Sequence, residues 1–168
     1  MIRTIKKLLK PSKAHRLGLD YSAEAEAMFR RIASDLGLEI VKEPSDPVEL
    51  SMTIPQQENL SSPIWVCLQN LDELWFAADG FTYSRFPFEE VKDEFETVLR
   101  RFLLGECRVL KHVRQKDKKP FKFILQYHKN GNWQSMYEYN RMISLFPIRN
   151  FAIIDEYPNR QSPTGELR

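Results

Sequence analysis

Apolar residues recur along this chain in two periods, one helical and one extended, and the changes between them mark out its elements. Ala25, Met28, Phe29, Ile32, Ala33 and Leu36 fall at the i, i+3, i+4 spacing of one buried helix face, which predicts a helix from about Ala23 to Leu36. Ser22 stands where a side-chain oxygen can cap the first free backbone N–H groups, and Gly37 stands where the chain can leave the helix. The same spacing returns in Phe88, Val91, Phe95, Val98, Leu99, Phe102 and Leu103. Pro87 suits the first helical position, Glu89, Glu90 and Asp93 the positive end of the helix dipole, and Arg100 and Arg101 the negative end.

Between and after these helices the period drops to two. Leu38 to Lys42 is a short candidate strand ahead of the breaker Pro44-Ser45-Asp46-Pro47. Val48, Leu50, Met52 and Ile54 alternate with polar residues, as do Ile64, Val66 and Leu68 with Trp65, Cys67 and Gln69. Leu74 to Ala78 and Phe81 to Phe86 flank Asp79-Gly80, a strong two-residue hairpin signal that sets Phe76 opposite Tyr83 and Ala78 opposite Phe81. Three more strands follow: Cys107 to Arg114, Phe121 to His128 and Trp133 to Asn140, with apolar runs at Ile143 to Phe146 and Phe151 to Ile154. Two core helices cannot supply the crossovers of a parallel sheet, so the expected class is α+β, a mainly antiparallel sheet with two amphipathic helices packed on it.

The last hairpin has two readings with opposite consequences. A two-residue Asn130-Gly131 turn pairs odd positions with even ones, so Trp133, Tyr137 and Tyr139 share a face with Lys122, Gln126 and His128, a platform suited to stacking single-stranded nucleic acid. A three-residue turn pairs odd with odd and buries the rings with Phe121, Phe123 and Leu125. The outward face then reads Arg108, His112, Arg114, Lys122, Gln126, His128 and Glu138. Leaving three large rings in water forgoes on the order of 1.5–3 kcal/mol each, more than any difference in turn preference, so the buried register is expected.

With 168 residues the chain is long enough for one core without disulfide or metal. The expected organisation is a basic N-terminal arm over 1–19, a single domain over 20–157 and a disordered tail over 158–168. The arm sets Ile2, Ile5, Leu8 and Leu9 against Arg3, Lys6, Lys7 and Lys10, which fits either packing on the domain or an anionic surface. The net charge is only +2, yet residues 108–129 carry eight Lys or Arg against Asp117, so electrostatic recognition would be local. No run approaches the roughly 20 apolar residues of a membrane helix, and the N-terminus lacks the apolar core of a secretory signal. A cytoplasmic location is expected, with Cys67 and Cys107 as free buried thiols.

Catalytic signatures do not emerge. There is no GxGxxG, no GxxxxGK followed by Ser or Thr, no HExxH and no GxSxG. His112 and His128 could lie together on neighbouring strands, but a metal site wants three or four ligands. Cys107, with His128 across the hairpin, is the one conceivable nucleophile, and burial argues against it. No cofactor is expected and no catalytic residue is assigned.

Trp65 and Trp75 have the opposite parity to their strands' aliphatic sets, so they share the other face of the sheet with Cys67, Ala77 and Phe86. Such an apolar patch marks a partner contact unless the N-terminal arm or the C-terminal segment covers it. The expectation is a non-catalytic protein-binding module, immunity-, adaptor- or chaperone-like in size and class. The candidate surface is Trp65, Trp75, Phe86, Arg108, His112, Arg114, Lys122 and His128. Nucleic-acid or anionic-surface binding through 1–19 and 108–129 is the first alternative, and an enzyme whose site spacing does not reveal is the second.

Overall fold

A computed structural model describes residues 19–44, 46–141 and 151–156. Its elements run α1 (Ser22–Asp35), β1 (Val41–Lys42), β2 (Leu50–Ile54), β3 (Ile64–Gln69), β4 (Glu73–Ala78), β5 (Phe81–Arg85), α2 (Phe88–Leu103), β6 (Cys107–Arg114), β7 (Pro120–Lys129), β8 (Asn132–Asn140) and β9 (Phe151–Glu156). The class is α+β with antiparallel strands throughout, as the two periodicities predict. The arm over 1–18, the apolar run at 143–146 and the tail from 158 lie outside the described residues.

The strands form two sheets rather than one: β1-β2-β3-β4-β5 and β8-β7-β6-β9. They meet where β5 passes β8. There, rings take the place of backbone pairing: Tyr137 of β8 packs 4.8 Å from Tyr83 and 6.2 Å from Phe81, centroid to centroid. The inward residues of β2 to β5, among them Met52, Val66, Phe76 and Phe81, are buried with Phe29 and Ile32 of α1 and with Phe95, Val98 and Phe102 of α2. Phe76 is the hinge of this packing, with Phe102 at 4.9 Å and Tyr83 at 5.1 Å. Phe81 reaches both Phe102 and Phe123, which joins the second sheet to the same interior.

The helices follow the expected faces with a change at the start of each: Pro87, extended, is the residue before α2 rather than its first helical one. Ser22 is already helical, and it is Asp20 whose carboxylate accepts from both its N–H (2.8 Å) and its hydroxyl (2.6 Å). These two bonds hold the Asp20 carboxyl below its ordinary range. Along the solvent side, Arg31–Glu96, Arg100–Asp35 and Lys92–Glu24 link α1 to α2. Exposed pairs of this kind contribute about 0–1 kcal/mol each, so buried apolar area holds the layer together.

The two hairpin turns that end in glycine are two-residue turns with two left-handed residues, Asp79-Gly80 (φ 47 and 81°) and Asn130-Gly131 (φ 52 and 79°). The first gives the expected pairing, Phe76 with Tyr83 and Ala78 with Phe81. The second overturns the three-residue turn expected from burial. Beside the turn His128 pairs with Trp133 and Gln126 with Ser135, odd with even. Beyond it Leu125 pairs with Tyr137 and Phe123 with Tyr139, odd with odd. Met136 is the extra residue between them, a β-bulge that returns the strand to the buried register halfway along. Met136 and Tyr137, consecutive in sequence, both pack against the core, as a bulge permits. Tyr137 and Tyr139 are therefore inward as expected, and Trp133 is not.

A second bulge changes Phe121. His112 pairs with Lys122 and Val113 with Pro120, leaving Phe121 unpaired. Its ring sits 6.0 Å from His112 and 5.9 Å from Phe151, on the outward side, while Phe123 and Leu125 are buried. The expectation that Phe121 joins the interior is overturned for that reason.

Candidate interaction surfaces

The outward face of the five-stranded sheet carries Trp65 and Trp75. Register sets Trp65 between Thr53 and Ala77, Cys67 between Ser51 and Trp75, and Trp75 beside Ser84. Two large rings thus stand among small side chains, and both are half-buried. Trp65 is pinned: its indole N–H donates to the Ser51 hydroxyl at 2.6 Å, and that hydroxyl donates in turn to the Asp46 carboxylate. The Trp75 indole N–H is buried with no hydrogen-bond partner among the described residues. A buried, unpaired donor costs about 1–3 kcal/mol, so it reads as a group held in place by packing. Phe86, one residue beyond β5 with the parity of Thr82 and Ser84, is 66% exposed.

Cys67, with Trp65 two residues before it and Trp75 directly across, is fully buried. Burial pushes its thiol up to about 12, with Glu73 adding to the effect. Cys107 is buried against the core, and its thiol is likewise pushed up to about 12. Neither supplies thiolate near neutral pH, so neither is an activated nucleophile. Both are free.

The outward face of the four-stranded sheet is organised by Arg108. Its Nε donates to Gln126 Oε1 at 2.9 Å, its Nη1 to Asp155 Oδ2 at 2.9 Å, and its guanidinium lies 4.5 Å from the Trp133 ring centre. His128 meets the same ring edge-on at 5.2 Å. Trp133, His128 and Arg108 therefore do share a face, as the two-residue turn requires, but the cation already covers the ring. Lys122 pairs with Glu138 at 2.7 Å, a bond that is the main reason the Glu138 carboxyl is held below its ordinary range. Arg114 closes a two-pronged contact on Asp117 at 2.5 and 3.1 Å. At least three of the eight cations between 108 and 129 are thus matched by acids among the described residues. Lys116, Lys118 and Lys119 stay exposed in the turn after β6.

His112 is sandwiched between Phe151, stacked at 5.1 Å, and Phe121. Its Nε2 is buried without a hydrogen-bond partner among the described residues. Burial first, and then the nearby Lys122 charge, lower its pKa against a smaller opposite pull from Glu138. It does not neighbour His128. Its partner on β7 is Lys122, six residues before His128 and hence about 20 Å away at the usual strand rise. No group of three or more His, Cys, Asp and Glu side chains among the described residues is placed to hold a metal ion. No described helix is long and apolar enough to cross a membrane.

The structure thus separates the candidate residues into two surfaces. Trp65 and Trp75 lie on one sheet, with Phe86 just past its end, and Arg108, His112, Arg114, Lys122 and His128 lie on the other. Gln126 lies on the second surface as expected, whereas Trp133 and Asp155 were not expected there, although Asn130-Gly131 was the signal for Trp133. No protein-family model, curated protein or solved structure matches the chain.

Proposed function

We propose that this domain is a non-catalytic protein-binding module that meets its partner through the outward face of the five-stranded sheet, centred on Trp65 and Trp75. The observation that carries this reading is the pair of half-buried indoles standing among Ser51, Thr53, Ala77 and Ser84 on a sheet whose helices lie on the opposite side. Tryptophans anchored at one edge and open at the other bury large area at low entropic cost, which is why they recur as binding hot spots. The Trp65–Ser51–Asp46 chain holds one of them ready in a single orientation. The partner that fits is a protein surface with apolar recesses rather than a polyanion, because this face carries few cations. Two unpaired buried thiols suit a reducing, intracellular setting.

The alternative is nucleic acid or an anionic surface engaged through the basic segments. Pairing of Arg108, Arg114 and Lys122 with Asp155, Asp117 and Glu138 weakens it, since a matched cation releases no counterion from a phosphate. Affinity capture from a native lysate at moderate salt separates the two readings. The expected result is one stoichiometric protein whose affinity falls at least about thirtyfold in W75A, the loss of a hot spot of about 2 kcal/mol. It should be unchanged when Lys116, Lys118 and Lys119 are all replaced by Glu. Binding to nucleic acid that weakens steeply with salt and is abolished by the triple lysine variant would overturn the proposal.

A further inference from the structure

Among the described strands, four stand at sheet edges, and three of them are protected. β1 is two residues long, and Pro44 follows close behind it. β5 and β8 face one another across the Tyr83–Tyr137 contact. β9 differs. It lends one edge to β6 over six residue pairs, and its other edge has no strand beside it among the described residues. Apolar side chains are exposed on both of its faces, Ile153 to 53% and Ile154 to 46%, while Phe151 packs on His112. Edge strands in proteins are ordinarily blunted by Lys, Pro, a bulge or extreme shortness, because an open row of N–H and C=O groups templates further pairing. Phe151-Ala152-Ile153-Ile154 carries none of these devices.

We propose that β9 pairs antiparallel with β9 of a second copy of this chain, joining two four-stranded sheets into one of eight. A two-fold axis perpendicular to the sheet keeps outward side chains outward, so residues of like parity must face each other. The register that satisfies this and keeps the apolar positions together centres on Ile153. Ile153 then lies opposite the partner's Ile153, Ala152 opposite the partner's Ile154, and Phe151 opposite the partner's Asp155. Charge favours the same arrangement: it sets the two Asp155 carboxylates at opposite ends of the paired strands, whereas parallel pairing would set acid beside acid. On the outward face the apolar row Phe121, His112 and Ile153 continues across the axis into its own copy. The proposal is independent of the tryptophan face on the other sheet.

Sedimentation equilibrium of the full chain over a wide concentration range tests it. The expected species has twice the 19.9 kDa chain mass and dissociates on dilution. I153K, which sets two ammonium groups directly opposite each other, should be monomeric with unchanged far-UV circular dichroism, while I153V should remain dimeric. Should I153K fail to fold, I153C supplies the second test. Under mild oxidation by diamide it should form a covalent dimer much faster than T82C, placed on the other sheet, because the native thiols are buried. A wild-type chain that is monomeric throughout, a dimer that survives in folded I153K, or equal cross-linking of I153C and T82C would each overturn the proposal.

Discussion

His112 sits where an imidazole is worth more neutral than charged. Phe151 stacks on one side, Phe121 closes another, and the Lys122 ammonium and Glu138 carboxylate are the charged groups that act on it. Burial and Lys122 outweigh Glu138, so the folded chain takes up this proton at lower pH than the unfolded chain does. Between the ordinary histidine value of about 6.5 and that lower folded value, the unfolded state binds more protons. Stability is therefore expected to fall as pH drops through this window and to lose no more from His112 below it. Thermal unfolding of the wild type and H112F, followed from about pH 7.5 down to about pH 4.5, checks the sign. The wild type should lose more than H112F, and equal pH dependence in both would remove His112 as the cause. Parity alone put His112 on the outward face. Its burial there was not legible, because the ring that covers it arrives through the irregular pairing of Phe121 and from β9.

At the scale of the element, β8 reconciles two demands that the sequence states separately. Asn130-Gly131 calls for a two-residue turn, and the rings at 137 and 139 call for the opposite parity. Each argument was sound for half the strand. What no local pattern disclosed was that one extra residue would let both hold, since Met136 looks like any other alternating apolar position. Deleting Met136 removes only the extra residue, so Gln126 should stay opposite Ser135 and Leu125 opposite Tyr137, with Tyr137 and Tyr139 still inward. Denaturant unfolding should therefore show a smaller loss for this deletion than for Tyr137→Ala, which removes an inward ring and should cost up to about 3 kcal/mol. A deletion that costs as much as Tyr137→Ala would mean that the bulge contributes more than the register it sets. The buried helix faces and the 79–80 hairpin were legible for the converse reason, because spacing and turn chemistry pointed the same way, although the start of α1, set by the Asp20 contact, was misjudged.

For the whole molecule, the two sheets and two helices close on one set of rings, and Phe81 is the member that touches the most parts of it. It contacts Phe76 within its own sheet, Phe102 on α2, Phe123 on β7 and Tyr137 on β8. Phe81→Ala should cost about 3–5 kcal/mol, the usual range for emptying a well-packed aromatic site, and should weaken both sheets together. In a W133F background, tryptophan fluorescence from Trp65 and Trp75 and circular dichroism should then give coincident transitions; separated midpoints would mean that the sheets unfold independently. That there would be strands and two helices could be read from periodicity. That the strands would split into two sheets could not, because the split depends on Tyr137 meeting Tyr83 far away in sequence. The two cysteines turn this architecture into a clock. Cys67 lies in the first sheet and Cys107 in the second, and alkylating reagents can reach either sulfur only when its own sheet opens. Mass-resolved labelling in dilute denaturant should modify both thiols at one shared rate if the molecule comes apart as a unit, and a lag at either site would name the half that lets go last.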